Sequence, residues 1–308
     1  MTNQAQEPVS LIKYAYLSIV TGITVFVMKI GAWYYTGSVG LLSDALESTV
    51  NIVAAVIALA ALKAAAKPAD SEHHFGRGKA EYFSAQIEGF MILLAALIIV
   101  VTAAERFMHP RELESLGWGL AISTVASVLN GVVAVILMRA GKAHRSAVLD
   151  ADGKHLLTDV WTSVGVIVGV ALVQVTGYLR LDSIVAMAVG INIIITGLHL
   201  LRESTSKLMD KSLPDEDHAA IVAVLKKHES DQVKFHALQT RESGRHRFVS
   251  MHVLVPGAWT VQQGHDLSET VEAEIKAALE HTTVSTHVEP IEDPRAWEDI
   301  PTGSHTWE

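Results

Sequence analysis

His155 and Asp159 stand four residues apart in the run His155-Leu156-Leu157-Thr158-Asp159. On a helix that spacing places the imidazole and the carboxylate one above the other on one face. The run opens an apolar stretch that continues to about Gly177, long enough to cross a bilayer, which takes roughly 20 apolar residues. A carboxylate at mid-membrane costs about 2.5–3.5 kcal/mol, so it persists where it lines a cavity, pairs or binds something. Imidazole and carboxylate together suit a divalent cation. A second polar stripe lies in an earlier apolar stretch, where Asp44, Glu47, Ser48 and Asn51 fall at i, i+3, i+4 and i+7, again one helical face. Polar side chains also join membrane helices by hydrogen bonds, and for Ser48 or Asn51 alone that reading suffices. Two carboxylates and an amide on one face, matched with a His/Asp face, point instead to a cation site.

Other candidates are weaker. The stretch 68–81 holds Asp70, Glu72, His73 and His74, which suggests a second ion in a loop or simply a solvated turn. Beyond residue 210, His236, His252 and His287 fall in predicted strands and His265 begins a predicted helix. With Glu289 they form a candidate soluble metal site if the strand ends converge. Gln86, Glu88 and Asn130 lie in apolar stretches; Glu88 reads as a supporting polar group rather than a ligand. Lys29 and His199 read as snorkelling or paired groups.

These residues need elements to hold them. The chain has 308 residues, half of them hydrophobic, and no cysteine. A disulfide framework and a thiolate site are therefore excluded, and any metal must be held by His, Asp, Glu or Asn. The net charge of −9 argues against a nucleic-acid partner. Residues 1–10 are polar and read as disordered, without a signal peptide. Six apolar segments follow, at about 12–35, 39–63, 82–107, 116–138, 156–177 and 182–204. Their lengths predict six transmembrane helices within 11–208. Lys63, Lys67, Arg77 and Lys79 lie in the second connection, Arg139, Lys142, Arg145 and Lys154 in the fourth, and Arg202, Lys207 and Lys211 around the end of the sixth segment; the opposite connections hold only Arg106, Arg111 and Arg180. The positive-inside rule then puts both termini in the cytoplasm. Residues 209–292 read as an αββαβ domain: helix 215–228, strands 233–240 and 247–255, helix 261–279 and strand 283–290. Residues 293–308 read as a flexible tail.

The chain resembles the cation diffusion facilitator family of divalent metal exporters over about residues 11–291. The resemblance rests on Thr36-Gly37-Ser38-Val39, the Asp44–Asn51 stripe, Phe75-Gly76-Arg77-Gly78-Lys79-Ala80-Glu81, His155-x3-Asp159 and Leu213-Pro214-Asp215. It implies six spans, a ferredoxin-like cytoplasmic domain, a homodimer in the bacterial inner membrane, and exchange of a divalent cation for protons. It also implies a transport site of Glu47, Asn51, His155 and Asp159. In zinc-exporting members similar to this chain both positions of the second span are Asp; here they are Glu and Asn, so Asp44, one turn earlier, is a candidate further ligand. The resemblance places a loop site at Asp70 and His73, but Arg77 stands where the family has a second His, and Arg cannot ligate a metal; His74 is the substitute candidate. It carries the cytoplasmic site over as His236, His252, His265, His287 and Glu289, and a dimer charge pair as Lys79 and Asp210.

The implied cargo is Zn²⁺ first, with Fe²⁺, Co²⁺, Cd²⁺ and Mn²⁺ behind it, because imidazole favours the later metals. Two other classes compete. An intramembrane metalloenzyme would need an open coordination position and a base, and the His-Glu-x-x-His motif is absent from the sequence. A membrane metal sensor that does not transport would use the same ligands.

Overall fold

The computed structural model describes the backbone of residues 8–36, 39–109 and 117–298; within it the side chains of 8–10, 32, 35–36, 39–47, 50, 117–120, 123, 166, 170–171, 174 and 182 lie outside the description. The chain forms two compact units that divide between Thr205 and Ser206.

The first unit is helical: α1 Pro8–Thr36, α2 Val39–Ala65, α3 Ala80–Met108, α4 Gly117–His144, α5 Ala147–Thr176 and α6 Arg180–Leu208, whose last three residues fall in the second unit. The apolar segments appear as these helices, with one informative difference. The fifth helix starts at Ala147, well before the apolar segment expected from residue 156. Asp150, Asp152 and Lys154 conceal that first part from a hydropathy reading, yet Ala151 and Asp152 are buried. By length and composition four stretches among the described residues are apolar enough to cross a membrane: Leu11–Gly31, Ala80–Met108, Thr124–His144 and Ser183–Leu208. Outward-facing Phe90, Leu94, Leu97, Ile98 and Val101 on α3 form an apolar surface suited to lipid rather than water.

The α5 helix is the hub of this unit. Val148, Leu149 and Leu156 pack into one apolar cluster with Leu11 and Ala15 of α1, Ala58 and Leu62 of α2, and Val133, Ala134 and Leu137 of α4. Ala151 belongs to a second cluster, with Ala85, Ile92 and Ala96 of α3 and Ile193 and Leu200 of α6. Small residues let α4 and α5 approach closely. A Cβ on Gly141 would lie 2.7 Å from the backbone nitrogen of Asp150, and one on Gly153 would lie 2.6 Å from Cγ of Met138 and 3.0 Å from the carbonyl of Ala134. The joining turn is short because Arg145 takes a left-handed conformation, φ 54°, and Ser146 caps the next helix in extended conformation.

The second unit has the predicted αββαβ order: α7 Asp215–His228, β1 Lys234–Ser243, β2 His246–Val255, α8 Val261–Ala278 and β3 Thr282–Pro290. Its sheet runs β1-β2-β3, with β1 and β2 antiparallel and β2 and β3 parallel. Alternation along β2 sends Val249, Met251, Val253 and Val255 into the core beneath the helices, against Ile221 and Leu225 of α7 and Val271 and Ile275 of α8. The intervening residues then face the other side of the sheet. α8 begins with a reciprocal cap: Gln263 N–H donates to the Thr260 hydroxyl and Thr260 N–H donates to Gln263 Oε1, at 3.3 and 2.8 Å. The tail expected to be loose from Asp293 opens instead with a 3-10 turn at Pro294–Trp297, pinned where the Trp297 indole N–H donates to the carbonyl of Ile291 at 3.1 Å.

Candidate metal centres

The first centre joins α2, α4 and α5. Asn51, Asn130 and His155 are buried, and Asp159 is partly so. Asn51 donates through Nδ2 to Oδ2 of Asp159, and Asn130 donates through Nδ2 to the same oxygen at 3.5 Å. An ionised carboxylate can only accept, so Asn51 must present its amino group to Asp159, which leaves its Oδ1 for His155. The His155 Nε2–Asn51 Oδ1 distance is 2.9 Å, so His155 carries its proton on Nε2. Its Nδ1 is buried and makes no hydrogen bond among the described residues. Imidazole, amide and carboxylate are thus wired in one line across two helices.

His155, Asn51 and Asp159 of the expected transport set are therefore together. Glu47 and Asp44 lie on α2, with side chains outside the described residues, and Gly37 and Ser38 of the Thr36–Val39 motif lie outside as well. Sequence reasoning gave Asn130 no place in the site. The available signal was a lone amide in an apolar helix, and what gives it meaning is the α4–α5 approach that brings it to Asp159.

The loop candidates separate. Asp70 Oδ2 pairs with Arg77 Nη2 at 2.7 Å, while its Oδ1 accepts from the backbone of His73 at 2.9 Å and of Glu72 at 3.1 Å. The His73 ring lies 3.3 Å from Asp70, but His74 Nε2 faces the carbonyl of Ser71 at 3.1 Å and does not join them. Shielding from water pushes the Asp70 carboxyl up, but the Arg77 guanidinium and the two backbone N–H groups outweigh it and bring it to about 2. The residue that replaces the second His has taken the carboxylate for itself.

The second centre lies on the sheet face opposite α7 and α8. His236 pairs in register with His252, and His252 with His287, so three imidazoles lie side by side across three strands. Ala237 takes a left-handed conformation, φ 54°, at the irregularity that follows His236 in β1. Glu289 is the focus: its Oε2 lies 3.2 Å from His236 Nε2 and 3.3 Å from His252 Nδ1, and its Oε1 lies 3.4 Å from His287 Nε2. His236, His252 and Glu289 offer ligand atoms all within 4.8 Å of one another. His236 and Glu289 are buried, whereas the His287 side chain is mostly exposed. His236 Nδ1 is buried and makes no hydrogen bond among the described residues, as expected of a ring held for its other nitrogen. Trp297 stacks edge-on against His236 at 5.5 Å; reading the tail as loose hid this contact. His265 stands apart from the trio, on the wall of a cleft of about 460 Å³ that Glu289 also lines. Of the expected charge pair, Asp210 meets Arg241 at 3.4 Å within the second unit, and Lys79 stands at the head of α3 in the first.

Two polar sites of this kind, one among apolar helices and one in a small α/β domain, match known families over nearly the whole chain. Residues 15–209 match the cation efflux transmembrane domain, and residues 213–291 match the cytoplasmic domain of cation efflux proteins. The chain belongs to the cation efflux family. It is therefore a membrane transporter of metal cations and not an enzyme. It is 53% identical over 285 residues to an uncharacterized transporter of Synechocystis sp., covering 92% of each chain. It is 31% identical over 281 residues to the cation-efflux pump FieF of Serratia proteamaculans, covering 91% of this chain and 93% of that one. Among solved structures, the metal-bound C-terminal domain of the CzcD transporter from Thermotoga maritima matches 26% of this chain and 92% of its own length, at 26% identity and TM-score 0.24.

Proposed function

We propose that this member of the cation efflux family exports a divalent cation from the cytoplasm in exchange for protons, with Zn²⁺ the first candidate and Fe²⁺, Co²⁺, Cd²⁺ and Mn²⁺ behind it. All six helices span the inner membrane in this reading, both termini are cytoplasmic, and the working unit is a homodimer. The reading rests on the line His155–Asn51–Asp159 inside the helical unit. Imidazole, amide oxygen and carboxylate are a nitrogen/oxygen donor set that suits borderline divalent ions. Glu47 would complete four-fold coordination, and Asp44, one turn earlier, would be a further ligand.

The same atoms explain exchange. A cation needs His155 neutral and Asp159 ionised, so it competes with the protons that would charge the imidazole and neutralise the carboxylate, while the Asn51 amide only turns its oxygen toward the ion. Alternate exposure of that set to the two sides of the membrane turns competition into antiport. His155 is the natural proton carrier, since imidazole titrates nearest neutral pH. In the cytoplasmic domain, His236, His252 and Glu289, with His287 beside them, would hold a regulatory ion. Such an ion would supply positive charge at Glu289 and tie the three strands together, with His265 as a ligand only after movement of α8. Lys79 and Asp210 would act at the dimer interface.

The test is uptake into proteoliposomes under an imposed pH gradient, with the five metals in parallel, wild type against Asp159→Ala. The expected result is gradient-driven flux of one or two metals that the substitution abolishes. Binding without flux of any metal would overturn transport in favour of a sensor, and wild-type flux in Asp159→Ala would overturn the site.

A further inference from the structure

Below the His155–Asp159 site, toward the start of α5, lies a pair of acids that the transport reading does not use. Glu88 of α3 is fully buried and Asp152 of α5 is 1% exposed. One oxygen of Glu88 and both oxygens of Asp152 make no hydrogen bond among the described residues. Glu88 falls between Ala85 and Ile92 on the face of α3 that packs with Ala151 of α5, the neighbour of Asp152, and the charge of Asp152 acts on it. The groups around them are mostly oxygen donors, with the imidazole of His155 within electrostatic reach of Asp152. The Ser84 hydroxyl reaches the other oxygen of Glu88 at 3.4 Å, and the buried Ser18 of α1 acts on Asp152 from outside hydrogen-bonding geometry. The nearby ammonium of Lys154 is engaged by Asp150 at 2.6 Å.

Two buried carboxylates with unused oxygens are not a packing device. Interhelical hydrogen bonding would satisfy those oxygens, and an apolar pair of similar volume would pack α3 against α5 without the cost of desolvation. The arrangement suits a cation that both acids share. We propose that Glu88 and Asp152 form a second divalent-cation site between α3 and α5, an all-oxygen site that favours hard ions such as Mn²⁺ over the nitrogen-preferring later metals.

Its position gives it a role. The seam is polar from the end of the helices inward: Ser146 donates to Glu81 at 2.5 Å where α5 and α3 begin. Asp152 lies six residues farther along α5, and His155 three residues beyond that, a further rise of about 4.5 Å. An ion entering along this seam meets oxygen ligands, which exchange readily, before it meets the imidazole. The site is a waiting station; that role rests on the export reading, whereas the binding does not.

Binding is tested on the full-length chain in nanodiscs, counting Mn²⁺ by electron paramagnetic resonance and equilibrium dialysis. Wild type and His155→Ala/Asp159→Ala are expected to share one Mn²⁺ per protomer that Glu88→Gln/Asp152→Asn lacks. Glu88→Asp keeps the charge on a shorter arm and should hold that ion at least tenfold more weakly, which serves if the double neutral variant does not fold. Unchanged Mn²⁺ stoichiometry and affinity in the Glu88 and Asp152 variants, or absence of the ion from His155→Ala/Asp159→Ala, overturns the site. Loss of flux in Asp159→Ala with this ion retained separates the two sites, and an ion bound here in a chain that moves no metal leaves the proposal standing while the export reading falls.

Discussion

Asn51 on α2 donates to Asp159 on α5, and through its other side-chain atom receives His155 at 2.9 Å. A carboxylate at position 51, as in the family's zinc-exporting members, cannot make this bridge. It would set like charges against each other whenever the ion is absent. The amide therefore stabilises the metal-free state and lowers the charge available to the ion. Asn51→Asp should lower metal-free stability by about 1–3 kcal/mol, the cost of losing a buried hydrogen bond and leaving its partner unmatched. It should also increase the rise in Tm that Zn²⁺ produces, since ligands that favour the folded state add stability by mass action. Thermal unfolding of both proteins with and without Zn²⁺ checks this; an equal metal-induced rise in both would show that Asn51 does not set the site's charge.

In the cytoplasmic domain three imidazoles converge on Glu289. Glu289→Gln keeps the shape and one acceptor but removes the charge, so the domain should remain folded while its Zn²⁺ affinity falls by more than about tenfold, at least the loss usual for a supporting group. His287→Ala should cost less, because that ring is mostly exposed. Calorimetric titration of the full chain distinguishes them, and equal losses would show that burial does not rank the ligands.

Much of this was legible in the sequence. The helices expected at 215–228 and 261–279 and the strands expected at 233–240, 247–255 and 283–290 lie within a few residues of those found. The spacing of His155 and Asp159 announced their shared face. What escaped reading depended on the partner element. Asn130 reaches Asp159 because Gly141 and Gly153 let α4 approach α5. Trp297 reaches His236 because the tail turns back at Asp293. A helix pattern likewise does not reveal that Asp152 of a later helix lies within electrostatic reach of Glu88. In each case the pattern fixes a face and the tertiary approach fixes the neighbour.

The loop ion pair sets a pH dependence. The Asp70 carboxyl sits at about 2 in the folded chain, below its ordinary value of about 3.9. A depressed carboxyl contributes stability that is fully present above the ordinary value and is lost as pH falls through the folded one. The turn 70–77 should therefore hold at pH 5 and loosen between about pH 4 and 2. Arg77→Ala should return Asp70 toward the ordinary range. Carbon-13 NMR of labelled aspartate reads both. Arg77→His, which puts a ligand where Asp70 now meets a guanidinium at 2.7 Å, should give the loop a Zn²⁺ that the wild type lacks there; unchanged Zn²⁺ stoichiometry would show that geometry, not Arg77, closes this site.

Gly153 and Gly31 provide a matched pair for the packing that positions His155. A Cβ at Gly31 meets nothing within 4 Å, whereas one at Gly153 meets Met138 Cγ at 2.6 Å and the Ala134 carbonyl at 3.0 Å. Alanine is the better helix former by about 1 kcal/mol, so Gly31→Ala should stabilise the chain slightly or leave it unchanged. At Gly153 the Met138 side chain can swing aside, but the Ala134 carbonyl belongs to the α4 backbone and moves only with its helix. Overpacking of this kind costs about 1–3 kcal/mol, which outweighs the propensity gain. Gly153→Ala should therefore lower Tm and, two residues before His155, weaken metal binding at the Asn51–His155–Asp159 site while leaving Zn²⁺ at His236, His252 and Glu289 untouched. Parallel thermal unfolding and metal titration of the two variants checks this. Equal Tm values would show that α4 and α5 have slack at Gly153, and that the close approach is not what holds Asn130 and Asp159 together.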